Sequence, residues 1–588
     1  MTSQQTATDQ SAGLIFDPAS PLGTAFRIDT SSVWAEATDP EKITRVSIGT
    51  LIAMEGQLPS EYLVGMLDRV TRDSELADMF EDGETEEPVP LTRVDRDLFR
   101  VVLLGTYRTV DGQRKNTFKR GADSYPRIDA KCWSIVGSNL QTLMSLLSSE
   151  VDEEKRLYLG SFVADASAKA VADGDRLFQR HAALVGSTGS GKSWAVALIL
   201  ERAAALQYPN LVVLDMHGEY SPLAQPSESG KSLARGWRVA GPSDLSENGG
   251  VLFLPYWMLN QEELLALLLD RSEDNAPNQA ARFTEHIRSL KRKTLELAEK
   301  AQALDNFTVD SPIPFSLSEL VDLLEFDDTE MVPGSTARPV GGPFKGKLTR
   351  FISRLKTKMK DRRYSFMFQA PDTTSHYEWL HGLAKDMLGT TRGIKVVDFS
   401  EVPSDALPVV VGVFARVLYD IQFWSAPEQR TPFTVVCDEA HLYLPSDNVT
   451  ARDQRALDSF ERIAKEGRKY GVSLLIVSQR PSDVSKTVLS QCNNFIVLRL
   501  TNDQDRRVIE RVMPDNLTGL TASLPLLDVG EAIVIGDSIV LPTRIRLDPP
   551  MIKPDSATRK FWSEWNSRPS EPETLSSAVE SMRRQSRV

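Results

Sequence analysis

Residues 182–193 read AALVGSTGSGKS, an apolar run followed by Gly186 to Ser193, which satisfy G-x-x-x-x-G-K-[ST]. A helix-forming segment, WAVALILERAAAL, comes next, so the motif has the strand-loop-helix setting that a phosphate cradle requires. Glycines there let backbone N–H groups converge on phosphates at a helix N-terminus, where the dipole also favours negative charge. The residues expected to hold ATP are Gly186, Ser187, Thr188, Gly189, Ser190, Gly191, Lys192 and Ser193. Lys192 would neutralise the β- and γ-phosphates, and Ser193 would ligate Mg2+ through its hydroxyl.

Outward from this loop, apolar runs alternate with helical patterns. Ala182 to Val185, Leu211 to Asp215, Ile394 to Asp398, Phe433 to Asp438, Ser473 to Ser478 and Phe495 to Arg499 read as buried parallel strands. That is an α/β sheet, whose ligands bind at the carboxyl ends of its strands. The run FTVVCDEAH, 433–441, delivers two carboxylates to such an end. Asp438 suits the hold on Mg2+, and Glu439 suits the base that polarises the attacking water. A following strand ends at Ser478 and Gln479. Hydrolysis also needs positive charge on the γ-phosphate as the transition state forms. Arg468, in RIAKEGRKYG, and Arg180, just before the loop's strand, are the two arginines placed to supply it, each also readable as a solvated surface residue.

The rest of the chain divides around that core. Residues 1–20 read as flexible, and 21–175 carry short β-type runs broken by Gly, Pro and Asp, such as 46–54, 100–107 and 158–163, which predict a small β-barrel with an acidic hinge, EDGETEE, at 81–87. The ATPase core is expected at 176–250 and 390–550, interrupted by a mainly helical insertion at 251–389 and followed by a Ser/Glu/Arg-rich tail at 551–588.

Composition bounds the class. The chain has 588 residues, 41% of them apolar and 25% charged, with a net charge of −13; these values exclude a disordered chain. Its opening segment has no basic stretch followed by an apolar one, and its longest apolar run, 406–415, stops at about half the ~20 residues of a membrane span. A cytoplasmic protein without a membrane segment is the expectation. The three cysteines lack CxxC spacing and the six histidines lack HExxH spacing, so neither a disulfide framework nor zinc is predicted.

The segments HAALVGSTGSGKS (181–193), VLDMHGEY (213–220), VVCDEAHLYL (435–444), FERIAKEGRKYG (460–471) and LLIVSQRP (474–481), in this order, resemble the HerA branch of the HerA/FtsK ATPases. PLGTAFRI (21–28) and EYLVGMLDRV (61–70) are similar to that family's barrel domain. The resemblance implies a RecA-like P-loop core and a homo-hexameric ring that translocates double-stranded DNA. It further implies a partner nuclease of the NurA type or, in antiviral defence, a sirtuin-type NAD-hydrolysing or other effector. By motif, Lys192, Ser193, Asp438 and Glu439 keep their roles, and Gln479 becomes the γ-phosphate sensor. Arg468, and behind it Arg180, would act on a neighbouring subunit's ATP. Glu219 either joins the same pocket or caps a helix. An assembly scaffold with little translocation is the competing function.

An acidic chain needs a local basic surface to hold DNA. Residues 345–363, KGKLTRFISRLKTKMKDRR, contain nine Lys/Arg against one Asp. Leu348, Phe351, Ile352, Leu355 and Met359 recur at helical spacing, which sets Arg350, Arg354 and Lys358 along another line. This line is either a stripe of phosphate contacts, repeated around a ring, or a solvated basic face paired with acidic neighbours.

Overall fold

A computed structural model of the chain describes residues 13–77, 92–110, 115–121, 124–226, 230–333, 339–389, 393–446, 451–513, 518–556, 559–567 and 572–584. The acidic segment 81–87, residues 1–12 of the opening segment and residues 585–588 of the tail lie outside the described residues. The chain groups into two compact units, the first comprising Met1–Ile199, Gln479–Ser482 and Cys492–Pro549, the second Leu200–Ser478, Asp483–Gln491 and Pro550–Val588.

In the first unit, short strands with one apolar face curl into a closed barrel. The spatial order is Ser32–Ala37, Gly23–Ile28, Lys131–Ser134, Leu51–Glu55, Glu61–Ala77 and Thr92–Val110, and the last strand pairs back to the first. Alternation sends Val33 and Ala35 inward, where they meet Ile52, Leu63, Leu67, Phe99 and Val101. Register shifts after Val64 and Leu67 bend the long hairpin enough to close the ring. At the first of these a Cβ on Gly65 would lie 2.5 Å from Val101 Cγ1, so glycine is what lets the strands approach.

The run at 158–163 departs from expectation. Its strand, Arg156–Phe162, pairs with Thr543–Leu547 and Asp165–Asp173, outside the barrel. A short β-run carries no record of which distant backbone will complete its hydrogen bonds, so the barrel's strands end at Ser134. The remaining sheet of this unit runs Ala182–Val185, Asn494–Val497, Glu531–Gly536, Thr543–Leu547, Arg156–Phe162, Asp165–Asp173, parallel only at its first pair.

The second unit is built on parallel strands in the order Val251–Leu252, Ala234–Val239, Ile394–Asp398, Leu211–Asp215, Phe433–Cys437 and Val472–Ser478. Burial on both faces explains the mostly apolar sequences of the last four; the buried Lys395, inside Ile394–Asp398, donates to Asn210 Oδ1 at 2.6 Å. Ala234–Val239 was not expected as a strand: its sequence, ARGWRV, is polar because its middle residues are largely exposed. Helices Gln261–Leu268, Ala276–Leu297, Ala301–Asn306, Leu317–Thr329, Thr349–Lys360 and Trp379–Leu388 fill most of 251–389. The apolar run at 406–415 proves to be part of a longer helix, Leu407–Trp424, because Pro408 sits in its first turn, where no hydrogen bond is lost. This helix is long and apolar enough to cross a membrane, yet 72% of it is buried inside the fold, as in a core helix. The tail forms two helices, Phe561–Ser567 and Pro572–Arg584.

Candidate nucleotide site

The phosphate loop lies in the first unit. Its strand, Ala182–Val185, is buried at every position, and the helix Lys192–Ala204 follows. A Cβ on Gly186 would fall 2.5 Å from Ser190 Oγ and 2.8 Å from Leu498 Cβ, and Gly191 has φ 103°, so both positions require glycine. The turn closes through Ser190 N–H on Ser187 O at 3.1 Å and is tied down by Ser187 N–H on Arg499 O at 2.8 Å. Lys192 is only 7% exposed at the helix N-terminus. A cation there meets the positive end of the dipole and loses hydration, and a bound anion offsets both costs. Ser190 Oγ is buried without a hydrogen-bond partner among the described residues. Thr188 and Ser193 remain more accessible than Lys192, and Thr188 Oγ1 donates to Gln479 Oε1. These features fit a nucleotide phosphate. Arg180, by contrast, is ion-paired with Asp537.

The carboxylates lie in the second unit, where parallel strand ends gather them. Asp438 follows Phe433–Cys437 and is 3% exposed, with its N–H on Leu214 O at 3.3 Å. Two residues that the sequence reading did not single out hold it. Tyr220, fully buried, donates from Oη to Asp438 Oδ1 at 3.4 Å, and Tyr443, also fully buried, donates to the Asp438 carbonyl oxygen at 3.1 Å. Burial, with Asp438 next, pushes the Tyr220 hydroxyl well above its ordinary range, so it stays a donor. Glu439 is 6% exposed and adopts φ 43° and ψ 47°, a left-handed conformation unusual for a residue with a Cβ. Its Oε2 lies 3.3 Å from His441 Nδ1, which in turn is 3.4 Å from Ser478 Oγ. No group of three or more His, Cys, Asp or Glu suited to a metal occurs among the described residues. Mg2+ tolerates this, since it takes one or two protein oxygens and completes its shell with phosphate and water.

Asp215 organises the neighbouring turn. Its carboxylate accepts from the N–H groups of Gly218 at 2.8 Å, Glu219 at 3.1 Å, His217 at 3.3 Å and Tyr220 at 2.9 Å. This Asx-type turn sets Tyr220 under Asp438; an Asp three residues before a glycine was the signal for it in VLDMHGEY. Burial pushes Asp215 up to about 6, against its backbone bonds and with help from Asp398, its partner in register on the next strand. Folding therefore raises this group's proton affinity, so its stabilising contribution is full in acid and is lost as pH rises through about 6. Asp215→Asn removes that titration. The difference in unfolding midpoint between native chain and variant should shrink as pH goes from about 5 to about 7.5; a constant or growing difference would contradict the assignment.

Glu219 is half-buried, its carbonyl accepting from Asp555 N–H at 2.8 Å. The next helical turn, Ser221–Ala224, has no side-chain cap, so Glu219 does not serve as one there. Arg468 is exposed on the turn Gly467–Tyr470 and forms no ion pair among the described residues.

The basic line at 350–358 needs correction. Its apolar counterpart packs as expected, with Phe351, Ile352 and Leu355 buried. Arg354, however, donates to Leu268 O at 3.1 Å and Glu273 Oε1 at 2.6 Å, and Lys358 Nζ stands 3.8 Å over the Tyr364 ring. Arg350 alone of the three is exposed. The middle of the line is committed to the protein's own carboxylate and carbonyl, so it offers no continuous stripe to phosphates.

Comparison with known proteins adds relatives. A family profile described as "Helicase HerA, central domain" matches residues 157–418. A probable helicase of Methanocaldococcus jannaschii is 25% identical over 519 residues, covering 86% of this chain and 89% of that protein. The DNA double-strand break repair helicase HerA of Pyrococcus furiosus is 26% identical, covering 66% of this chain and 69% of its own. Among solved structures, VirB4 of Thermoanaerobacter pseudethanolicus aligns at 14% identity and a TM-score of 0.44, covering 68% of this chain and 98% of that one.

Proposed function

We propose that the chain is a HerA-type ATPase that uses Mg2+ and ATP to drive translocation along double-stranded DNA as a homo-hexamer, a reading supported by the family match over residues 157–418. Two observations carry the chemistry, each within its own unit: a buried Lys192 at a glycine-shaped helix N-terminus in the first, and a buried Asp438 beside a conformationally strained Glu439 in the second. When bound, Mg2+ would supply positive charge that neutralises the phosphates. Lys192 would balance phosphate charge, Ser193 and Asp438 are the residues that would hold the metal, and Glu439 would orient and polarise the attacking water. Gln479 stands on the loop through Thr188 as the γ-phosphate sensor. Arg468 is the arginine offered to a neighbouring copy's nucleotide, because it is exposed and forms no ion pair among the described residues while Arg180 is paired with Asp537.

Phosphate release should rise severalfold on adding duplex DNA, and the stimulation should weaken as salt is raised. A rate indifferent to duplexes of every length, from a chain that still assembles, would remove the translocase reading. The commitment of Arg354 and Lys358 favours one alternative, an ATP-ordered scaffold for an effector, with little translocation. On either reading the partner is a NurA-like nuclease or an NAD-hydrolysing or other antiviral effector, and purification of the native complex identifies it.

A further inference from the structure

Glu439 occupies the left-handed region, where a Cβ crowds its own backbone, and such a conformation persists only when neighbours impose it. Hydrogen bonds grip the backbone on both sides. After the residue, Leu442 N–H donates to the Glu439 carbonyl oxygen at 2.9 Å. Before it, the Asp438 carbonyl oxygen, in the same rigid peptide plane as the Glu439 nitrogen, accepts from Tyr443 Oη at 3.1 Å. Rotating that plane would change ψ of Asp438 and φ of Glu439 together and would break the Tyr443 bond. Tyr443 cannot follow the movement: it is fully buried, its ring packed 5.7 Å from that of Phe460.

We infer that Tyr443 is a positioning residue whose hydroxyl locks the Asp438–Glu439 peptide and thereby aims the Glu439 carboxylate. The inference rests on Glu439 being the base, as proposed above. A tyrosine that merely filled the core would cost the same to trim whatever residue stood at 439.

Tyr443→Phe keeps the ring and removes only the hydroxyl. Turnover should fall on the order of tenfold, equivalent to about 1.4 kcal/mol, with KM for ATP and affinity for a fluorescent ATP analogue unchanged. A second measurement does not involve activity: denaturation midpoints of the native chain, Tyr443→Phe, Glu439→Gly and the double variant. With Glu at 439, loss of the bond lets the peptide rotate and relieves the strained backbone, which offsets part of the loss. With Gly at 439 there is no strain to relieve. Tyr443→Phe should therefore lower the midpoint less in the native background than in the Glu439→Gly background. Equal shifts in both backgrounds, a double variant that folds where the single does not, or unchanged turnover in Tyr443→Phe would each overturn the lock. Full turnover in Glu439→Gln would instead remove the base assignment, and unequal midpoint shifts would still support the lock.

Discussion

Glu439→Gln should cut ATP turnover on the order of 10²–10⁴-fold while leaving nucleotide affinity within about a factor of two, because the loss of a general base acts on the chemical step and the phosphates are held elsewhere. Glutamine matches glutamate in shape and can still hydrogen-bond, but it cannot take a proton from water. Steady-state phosphate release gives the first quantity. The upward shift of the unfolding midpoint by saturating ATP analogue gives the second. A variant that kept a tenth or more of native turnover would assign the base to another residue. Glu439→Gly belongs to the same experiment. It should be equally inactive yet more stable than the native chain by about 1–2 kcal/mol, the usual cost of holding a Cβ in the left-handed region. Strain retained at one buried carboxylate, and relieved only by losing the activity, is what a functional position predicts.

Arg416→Ala should be the most destabilising single substitution outside the nucleotide site, at about 3–5 kcal/mol. Arg416, on the core helix Leu407–Trp424, makes a two-pronged pair with Glu263 at 2.8 Å for both bonds and donates to Met258 O at 2.7 Å. Glu263, in the inserted helix Gln261–Leu268, is 3% exposed, so removing its partner strands a carboxylate away from water. Glu263 has a second duty: its Oε2 accepts from Asn260 N–H at 2.8 Å, one half of the capping box that starts the helix. The companion variants follow from that. Glu263→Gln keeps the cap acceptor and removes the charge, so Arg416→Met combined with Glu263→Gln should recover part of what Arg416→Met loses alone. Denaturation midpoints measure the recovery, and hydrogen exchange over 258–268 shows whether this helix loosens first. Additive losses in the double variant would mean that the pair is not the source of the stability.

The proposed nucleotide site was legible because it is local. Eight contiguous residues, Gly186 to Ser193, carry the loop, and Asp438 and Glu439 are adjacent at the end of an apolar run whose period marks a buried strand. The α/β core, the barrel and the helical insertion were readable for the same reason, since periodicity and turn residues are properties of short windows. Other features escaped because they depend on partners far along the chain. Arg354 reads as a free cation until Glu273, in another segment, claims it. Arg180 reads as a candidate finger until Asp537 does the same. The strand Arg156–Phe162, hairpinned locally to Asp165–Asp173, reads as part of the barrel until Thr543–Leu547 comes beside it.

The sequence by itself determined what kind of reaction this chain is equipped for, because a phosphate cradle and a carboxylate pair are written in consecutive residues whose spacing the backbone cannot alter. Only the tertiary structure decided which charges remain available and how the carboxylates are held. Ion pairs and buried hydroxyl contacts such as Tyr220 to Asp438 join positions hundreds of residues apart, and their strength depends on burial that no local window records.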